Sequence, residues 1–329
     1  MNKSKNNKIC NKCVLPENGQ NIFLDNQGVC SICHQHNEKK DSSSKYLETD
    51  LLKLLKKHKS KSDYDCMVMC SGGKDSTLAL YYMVKKFNLR VLAYTFDHGF
   101  ENKQALKNIE NATDKLSVDW LYFRTNFMKD AFREIIKNRS KTTICHICAL
   151  WYTQLCYNTA ANYKIPILIA GWRKEQSSSG EKSFDEYEYL SIETKNFIKY
   201  KLRKIEKYKS FPLNFKDAKK GALKKQKIIA LSPHWFLNDL PEDKLDLLKK
   251  ELNWQQIDQS YPHGSTNCQL NFPSVFLSMK NFGFSHYHIE TSKKIRNGEI
   301  SRKEALRSLE IDFDKDYVNS ILEQMDCKI

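Results

Sequence analysis

Cys66-Met67-Val68-Met69-Cys70-Ser71-Gly72-Gly73-Lys74-Asp75-Ser76-Thr77-Leu78-Ala79-Leu80-Tyr81-Tyr82-Met83-Val84 is the stretch on which the fold turns. Its first five residues are a short apolar run, the pattern of a buried strand. Leu78 to Val84 reads as a helix. Between them, Ser71 to Thr77 form a glycine turn at a helix start. Such a turn is an anion cradle: backbone N–H groups point at one spot and the helix dipole favours negative charge there. Gly72 and Gly73 permit positive φ and close backbone approach. Lys74 adds a cation, and Ser71, Ser76 and Thr77 add hydroxyl donors. The ligand that fits is a phosphate or pyrophosphate. A glycine turn without a phosphate role is the plain alternative.

Outward from the loop, strand and helix patterns alternate. Strand 65–70 leads to helix 76–87, strand 90–96 to helix 101–116, and strand 119–123 to helix 126–138. A helix over 149–162 leads to strand 166–170, and Lys227 to Leu231 reads as one more strand. This spacing predicts an α/β fold, a doubly wound parallel sheet with helices on both faces. Ligands of such sheets lie beyond the carboxyl ends of the strands, where the glycine turn, Asp97 and Gly171 all fall. Residues 46–58 carry Leu47, Leu51, Leu54 and Leu55 on one helical face. Helices are expected over 241–251, 285–297, 301–309 and 314–326, with Ser301 and Glu304 placed for a capping box. Ser177-Ser178-Ser179-Gly180 reads as a loop, a candidate lid. Three regions follow: a cysteine module over 1–40, an α/β domain over 41–231 and a helical region over 232–329.

The chain has 329 residues, a net charge of +15 and 40% hydrophobic residues. No stretch approaches the ~20 apolar residues of a membrane span. Met1 to Lys8 is polar and basic with no apolar segment after it, unlike a signal peptide. A cytoplasmic location is the expectation. Lys195 to Lys227 holds thirteen Lys or Arg and two acids, Glu206 and Asp217. This segment is either a contact for a phosphate-bearing partner or a solvated face.

The eleven cysteines point to metal rather than disulfides in such a chain. Cys10-x-x-Cys13 and Cys30-x-x-Cys33 make two knuckles that can close one four-thiolate Zn²⁺ site with no open position. Its role is structural, because forty residues bury little core without a staple. His34 and His36 are the other ligand types nearby. Cys145-His146-Ile147-Cys148 is a lone pair of the same spacing. It reads as a redox pair, half a metal site or packing. Cys268 sits in a turn-rich polar segment, and a second zinc site would need a histidine such as His146 or His263. Cys66, Cys70, Cys156 and Cys327 read as packing residues.

The string Ser71-Gly72-Gly73-Lys74-Asp75-Ser76 is not a Walker loop, because Lys74 is followed by Asp75. It resembles the signature of the PP-loop ATP pyrophosphatases. The resemblance implies ATP binding, adenylation of a substrate oxygen, release of pyrophosphate, and displacement of AMP by ammonia or sulfur. Cys10 to Pro16, Phe23 to Cys33, Thr95 to Phe100 with Asn108-Ile109, and Phe282 to Phe284 with Ile295 to Leu306 resemble the N-acetyl sugar amidotransferases. Those enzymes turn a sugar acetamido group into an acetamidino group in surface polysaccharide (lipopolysaccharide-type) biosynthesis. The implied partners are an N-acetyl sugar substrate and a separate glutaminase supplying ammonia. Cys145, Cys148 and Cys268 instead resemble the three-cysteine [4Fe-4S] arrangement of some PP-loop tRNA thiolation enzymes, with tRNA as the implied acceptor.

Under this resemblance Ser71, Gly72, Gly73, Lys74, Asp75, Ser76 and Thr77 hold the ATP phosphates. Lys74 neutralises charge at the reacting phosphate, and Asp75 either binds Mg²⁺ bridging the phosphates or caps the helix. Asp97 and Gly171, at strand ends, are placed to meet the ribose or adenine, or Asp97-His98-Gly99 is only a turn. Arg173 and Lys174 either neutralise substrate phosphate or pyrophosphate or are exposed loop cations.

Overall fold

The computed structural model describes residues 8–17, 22–38, 47–58, 62–138, 140, 142–173, 188–237, 244–257, 268–310 and 314–328. Its frame is a five-stranded sheet, every neighbouring pair parallel, in the order β3-β2-β1-β4-β5. The strands are β1 (Cys66–Met69), β2 (Val91–Asp97), β3 (Asp119–Arg124), β4 (Ile167–Ile169) and β5 (Ile229–Leu231). Parallel pairing demands a crossover between strands. The helices α3 (Lys74–Tyr81), α4 (Lys103–Leu116), α5 (Lys129–Lys137), α6 (Ile144–Asn162), α7 (Glu188–Tyr200) and α8 (Phe215–Lys225) lie in these connections. Ahead of the sheet come α1 (Ser31–Glu38) and α2 (Glu48–Lys57). After it come α9 (Lys244–Leu252), α10 (Asn271–Phe282), α11 (His286–Arg296), α12 (Arg302–Leu309) and α13 (Lys315–Glu323).

Strand alternation divides the core in two. Met67, Met69, Leu92, Tyr94 and Phe96 pack on one face with Phe132, Ile135, Ile147, Leu150 and Ile321. Cys66, Val68, Cys70, Val91 and Ala93 pack on the other with Leu51, Leu78, Ile109 and Leu248. Period two in an extended chain sends adjacent residues to opposite faces, and both faces here are covered. Strand β3 is an edge and leaves Tyr122 and Phe123 partly in solvent.

Several expected boundaries shift. The helix expected over 76–87 starts at Lys74 and finishes as a π turn, Tyr82–Lys86, where Phe87 N–H bonds the carbonyl of Tyr82 at 3.0 Å. The helix expected from 149 begins at Ile144, because Thr143 caps it through a bond from the His146 amide. The basic stretch contains a helix, α8, capped by Asn214. The segment around Cys268 leads directly into α10. Ser301 and Glu304 do form a capping box. The candidate lid, Ser177 to Gly180, lies outside the described residues.

The cysteine module is not freestanding. Cys10, Cys13, Cys30 and Cys33 share a core with Phe284 and Ile289. Val14 packs with Val275, Tyr287 and Ala305. Arg302 Nε donates to the carbonyls of Cys10 and Cys13 at 3.2 and 2.9 Å. The two ends of the chain thus form one body. Among the described residues no helix is long and apolar enough to cross a membrane.

Candidate functional site

Strand order reverses between β1 and β4, and the glycine loop leaves β1 at that switch point. Cys70 is still held as strand, its N–H on the Tyr94 carbonyl at 2.8 Å and its carbonyl accepting from Thr95 Oγ1 at 2.9 Å. The chain then turns at Gly72, at φ +73°. A Cβ there would stand 2.1 Å from the Ala105 carbonyl oxygen, so α4 closes the space that any larger residue needs. Gly73 does not use positive φ. It is the N-cap of α3 at φ −79°. The cap is therefore Gly73 and not Asp75, which sits in the first turn.

The loop's shape is locked from behind. Asn108 Nδ2 and Trp254 Nε1 both donate to the Gly72 carbonyl, at 3.1 and 2.9 Å. In a planar trans peptide the following N–H points the opposite way, so that of Gly73 faces away from these two residues. His234 Nε2 does the same to the Asp75 carbonyl at 2.9 Å, directing the Ser76 amide. Ser76 Oγ bonds the Gly73 carbonyl at 3.1 Å and lies 3.0 Å from Ser71 Oγ. Thr77 is buried, and its N–H bonds the Gly73 carbonyl at 3.0 Å. The first amides of a helix have no partner within it, and here they open beside an exposed Ser71. Gly171 lies against the same helix start, where a Cβ would meet the Ser76 nitrogen at 2.5 Å.

Asp75 is paired with Lys74 at 3.1 Å and Arg173 at 2.9 Å. Burial pushes its carboxyl up, but Lys74 and Arg173 outweigh this and hold it below its ordinary value. It is a carboxylate between two cations at the mouth of the cradle. Lys174 lies outside the described residues. Asp97 ends β2, and its oxygens are taken by the Gly99 N–H at 2.6 Å, the Tyr122 hydroxyl at 2.5 Å and Arg124 at 3.4 Å. Its place in the fold is the Asp97-His98-Gly99 turn.

Behind the loop is a cavity of about 250 Å³. Cys70 and Ser71 line one side, and Cys145, Cys148 and Cys268 line another. Thr95, His98, Glu101 and Tyr152 add further polar groups to its lining. The three cysteines, up to 123 residues apart in sequence (145 to 268), thus face one space beside the phosphate cradle. Burial pushes all three thiols up, and each is raised further by negative charge from its neighbours. As bare thiols they are protonated and unreactive. A bound cation is what makes such groups thiolates. Their sulfurs are not gathered to single-ion spacing, and three cysteine side chains on one cavity are the donor type that an iron–sulfur cluster takes. The three residues fit a [4Fe-4S] group, with one iron left to another ligand. His146 stacks on Phe215 instead of joining them, and His263 lies outside the described residues. His98 and Asn108 enter the sequence reading only within stretches that carry a resemblance or a turn, with no role, and Glu101 and Trp254 not at all; Asn108 and Trp254 reach the loop from far along the chain.

The knuckle cysteines meet as their spacing predicts. All four sulfurs lie within 4.8 Å of one another, with Cys10–Cys33 at 3.9 Å and Cys13–Cys30 at 3.7 Å. Four Zn–S bonds of about 2.3 Å in a tetrahedron put sulfurs roughly 3.8 Å apart. Backbone amides of Cys13, Leu15, Cys30 and Cys33 donate to these sulfurs at 3.2–3.4 Å. Hydrogen bonds from the other three cysteines hold the Cys10 thiol far below its ordinary value. The set fits Zn²⁺. His34 bonds Asp25 and His36 bonds the Arg296 carbonyl, so neither is a ligand.

In the basic stretch, Arg203 bonds the Phe211 carbonyl, Lys207 pairs with Asp130, Lys209 with Glu206, and Lys219 lies over Tyr157. These four cations hold the fold locally.

Residues 64–117, which contain β1, the loop, α3, β2 and α4, match the family model of the diphthamide synthase N-terminal domain. An uncharacterized protein of Methanocaldococcus jannaschii is 24% identical over 261 residues, covering 79% of this chain and 77% of that protein. Among solved structures, the U34-tRNA thiolase NcsA from Methanococcus maripaludis with its [4Fe-4S] cluster is 14% identical, covering 93% of this chain and 90% of that one, at a TM-score of 0.37. NMN synthetase from Francisella tularensis is 13% identical, covering 85% and 97%, at a TM-score of 0.40. The NH3-dependent NAD synthetase of Campylobacter jejuni is 15% identical, covering 90% of each chain, at a TM-score of 0.35. At such scores the structural likeness is loose.

Proposed function

We propose that the chain is a PP-loop ATP pyrophosphatase, a reading its loop, sheet and matched stretch support, and that it adenylates an acceptor oxygen and passes the activated carbon to a sulfur nucleophile. The observation that carries the sulfur reading is the shared cavity, with Ser71 on one side and Cys145, Cys148 and Cys268 on another.

The amides of Gly73, Lys74, Asp75 and Ser76 bind the β- and γ-phosphates of ATP, and Lys74 offsets their charge. Asp75 would hold a Mg²⁺ that offsets phosphate charge, and Arg173, paired with Asp75 here at 2.9 Å, would then be placed to pair with the pyrophosphate. The acceptor oxygen attacks the α-phosphate, and pyrophosphate leaves. Sulfide then adds to the activated carbon, and AMP departs with the oxygen. Most of the rate comes from placing these groups and matching charge at the α-phosphate. A [4Fe-4S] cluster on the three cysteines would supply an open iron for binding the sulfur. With a tRNA acceptor, the cations of α8 that remain available contribute phosphate contacts.

A second reading is an amidotransferase on an N-acetyl sugar, with ammonia in place of sulfide and a separate glutaminase as its source. One observation favours it: the two stretches that carry that resemblance, around Cys10–Cys33 and Phe282–Leu306, pack as one body. It leaves the thiol-lined cavity without a task.

Anaerobically purified protein given ATP, sulfide and bulk tRNA separates the two. Thionated nucleosides with stoichiometric AMP support sulfur transfer. An acetamidino sugar made from ATP, ammonium and a nucleotide-linked N-acetyl sugar, with no thionated product, would replace it with the second reading.

A further inference from the structure

The cavity offers metal ligands beyond its three thiols. His98 Nε2 lies 3.4 Å from Cys268 Sγ and 3.7 Å from Glu101 Oε1. The three ligand atoms all lie within 4.8 Å of one another. Ligands about 2.0–2.3 Å from a tetrahedral ion stand roughly 3.3–3.8 Å apart, so two of these separations already have the length that one ion imposes. Among the described residues, only the zinc knuckle is gathered as tightly. Cys145 and Cys148 are outside the set, and Cys145 is turned to Ser274 Oγ at 3.3 Å.

The arrangement is built by the backbone. An isolated antiparallel bridge joins Glu101 to Cys268, and the Gln269 N–H bonds the Phe100 carbonyl at 3.0 Å. The Asp97-His98-Gly99 turn aims the His98 ring at the same point, with Phe96, Phe100 and Phe132 around it. His98 is 4% exposed and Glu101 14%. A carboxyl group so poorly hydrated is held ionised only beside a compensating positive charge. Within 4 Å its ion-pair contact among the described residues is the buried His98 ring.

We propose that His98, Glu101 and Cys268 hold a single divalent cation, zinc or ferrous iron, with its fourth position open to the cavity. The mixed nitrogen, oxygen and sulfur donors suit those ions and not magnesium or calcium. Three protein ligands and an open position are the pattern of a catalytic site, where the ion lowers the pKa of what it binds. In this cavity that position takes hydroxide or hydrosulfide. Cys268 is also one of the three cysteines assigned above to a cluster. If the sulfur-transfer reading holds, ion and cluster therefore exclude one another, and the ion occupies the cluster-free protein.

The test is a cobalt(II) titration of full-length protein, stripped of metal and cluster, read by thiolate-to-cobalt charge transfer and tetrahedral bands. The wild type should bind two equivalents per chain. His98→Ala and the isosteric Glu101→Gln should each bind one, with the knuckle's spectrum retained as proof of folding. Cys145→Ser should still bind two. A single equivalent in the wild type overturns the site. So does a second equivalent that survives His98→Ala but is lost in Cys145→Ser and Cys148→Ser, which puts the metal on the three thiols. Two equivalents in a protein that makes no thionated product supports the ion site and overturns the sulfur-transfer reading.

Discussion

The molecule carries two cysteine regions that differ in how they close. In the knuckle, four sulfurs from two short turns converge, backbone amides donate to them, and all four are buried. Around the cavity, Cys145, Cys148 and Cys268 face open space, share it with His98 and Glu101, and lie beside the phosphate cradle. The first region is saturated by its own residues and ties the chain's two ends together. The second is left incomplete and is positioned next to a reactive loop. Saturated ligand sets hold structure, whereas incomplete ones leave room for chemistry.

The largest effect expected from this contrast is in the knuckle. Cys13→Ser should abolish tight zinc binding, worth on the order of 10 kcal/mol in small zinc modules, and loosen α10 to α12, which pack on it. Zinc content and proteolysis of the C-terminal region read this out. Unchanged zinc would break the distinction between the regions.

The next effect is catalytic. Gly72→Ala forces a Cβ to 2.1 Å from the Ala105 oxygen and pays for positive φ, the latter costing roughly 1–2 kcal/mol. Pyrophosphate release should fall at least about 100-fold, since a displacement near 1 Å can cost that much. Cys148→Ser should remove sulfur transfer while shifting stability by only about 1 kcal/mol. A comparable loss of stability in Cys148→Ser and Cys13→Ser would erase the difference between the two regions.

A smaller effect concerns Asp75, whose carboxyl Lys74 and Arg173 hold below its ordinary value against the pull of burial. A carboxylate with a lowered folded-state pKa stabilises the fold above its unfolded pKa of about 4. That contribution disappears as pH falls through the folded-state value. Asp75→Asn should therefore flatten the acid side of the melting-temperature profile below about pH 4 and leave its neutral side parallel to wild type. An unchanged acid slope would contradict the pairing.

The smallest effect is at His34. Its ion pair with Asp25 is half exposed, and solvent screening leaves such a pair contributing little. His34→Ala should keep one zinc and shift the melting temperature by a degree or so. Loss of zinc would mean that four cysteines do not close the knuckle.

What the sequence disclosed follows the same division. The knuckle and the loop are local patterns, so Cys10 to Cys33 and Ser71 to Thr77 announce themselves through spacing. The parallel sheet was legible because its strands are short apolar runs separated by helical ones. The cavity was only half visible. Cys145 and Cys148 stand out as a pair, but His98 meets Cys268 across 170 residues, through a bridge no periodicity encodes. Asn108 and Trp254 shape the loop by bonding one carbonyl, and nothing near either residue in sequence marks that role. Asp97 stands out because it ends a strand, but the Tyr122 hydroxyl that bonds its carboxylate comes from the neighbouring strand and is not marked in sequence.

The most direct measurement is the fate of ATP labelled at the α-phosphate, incubated with the protein and its acceptor. Labelled AMP with equimolar pyrophosphate is the expected result, with both formed at least about 100-fold more slowly by the Gly72→Ala variant. Labelled ADP with orthophosphate, or acceptor conversion without any nucleotide, would contradict it.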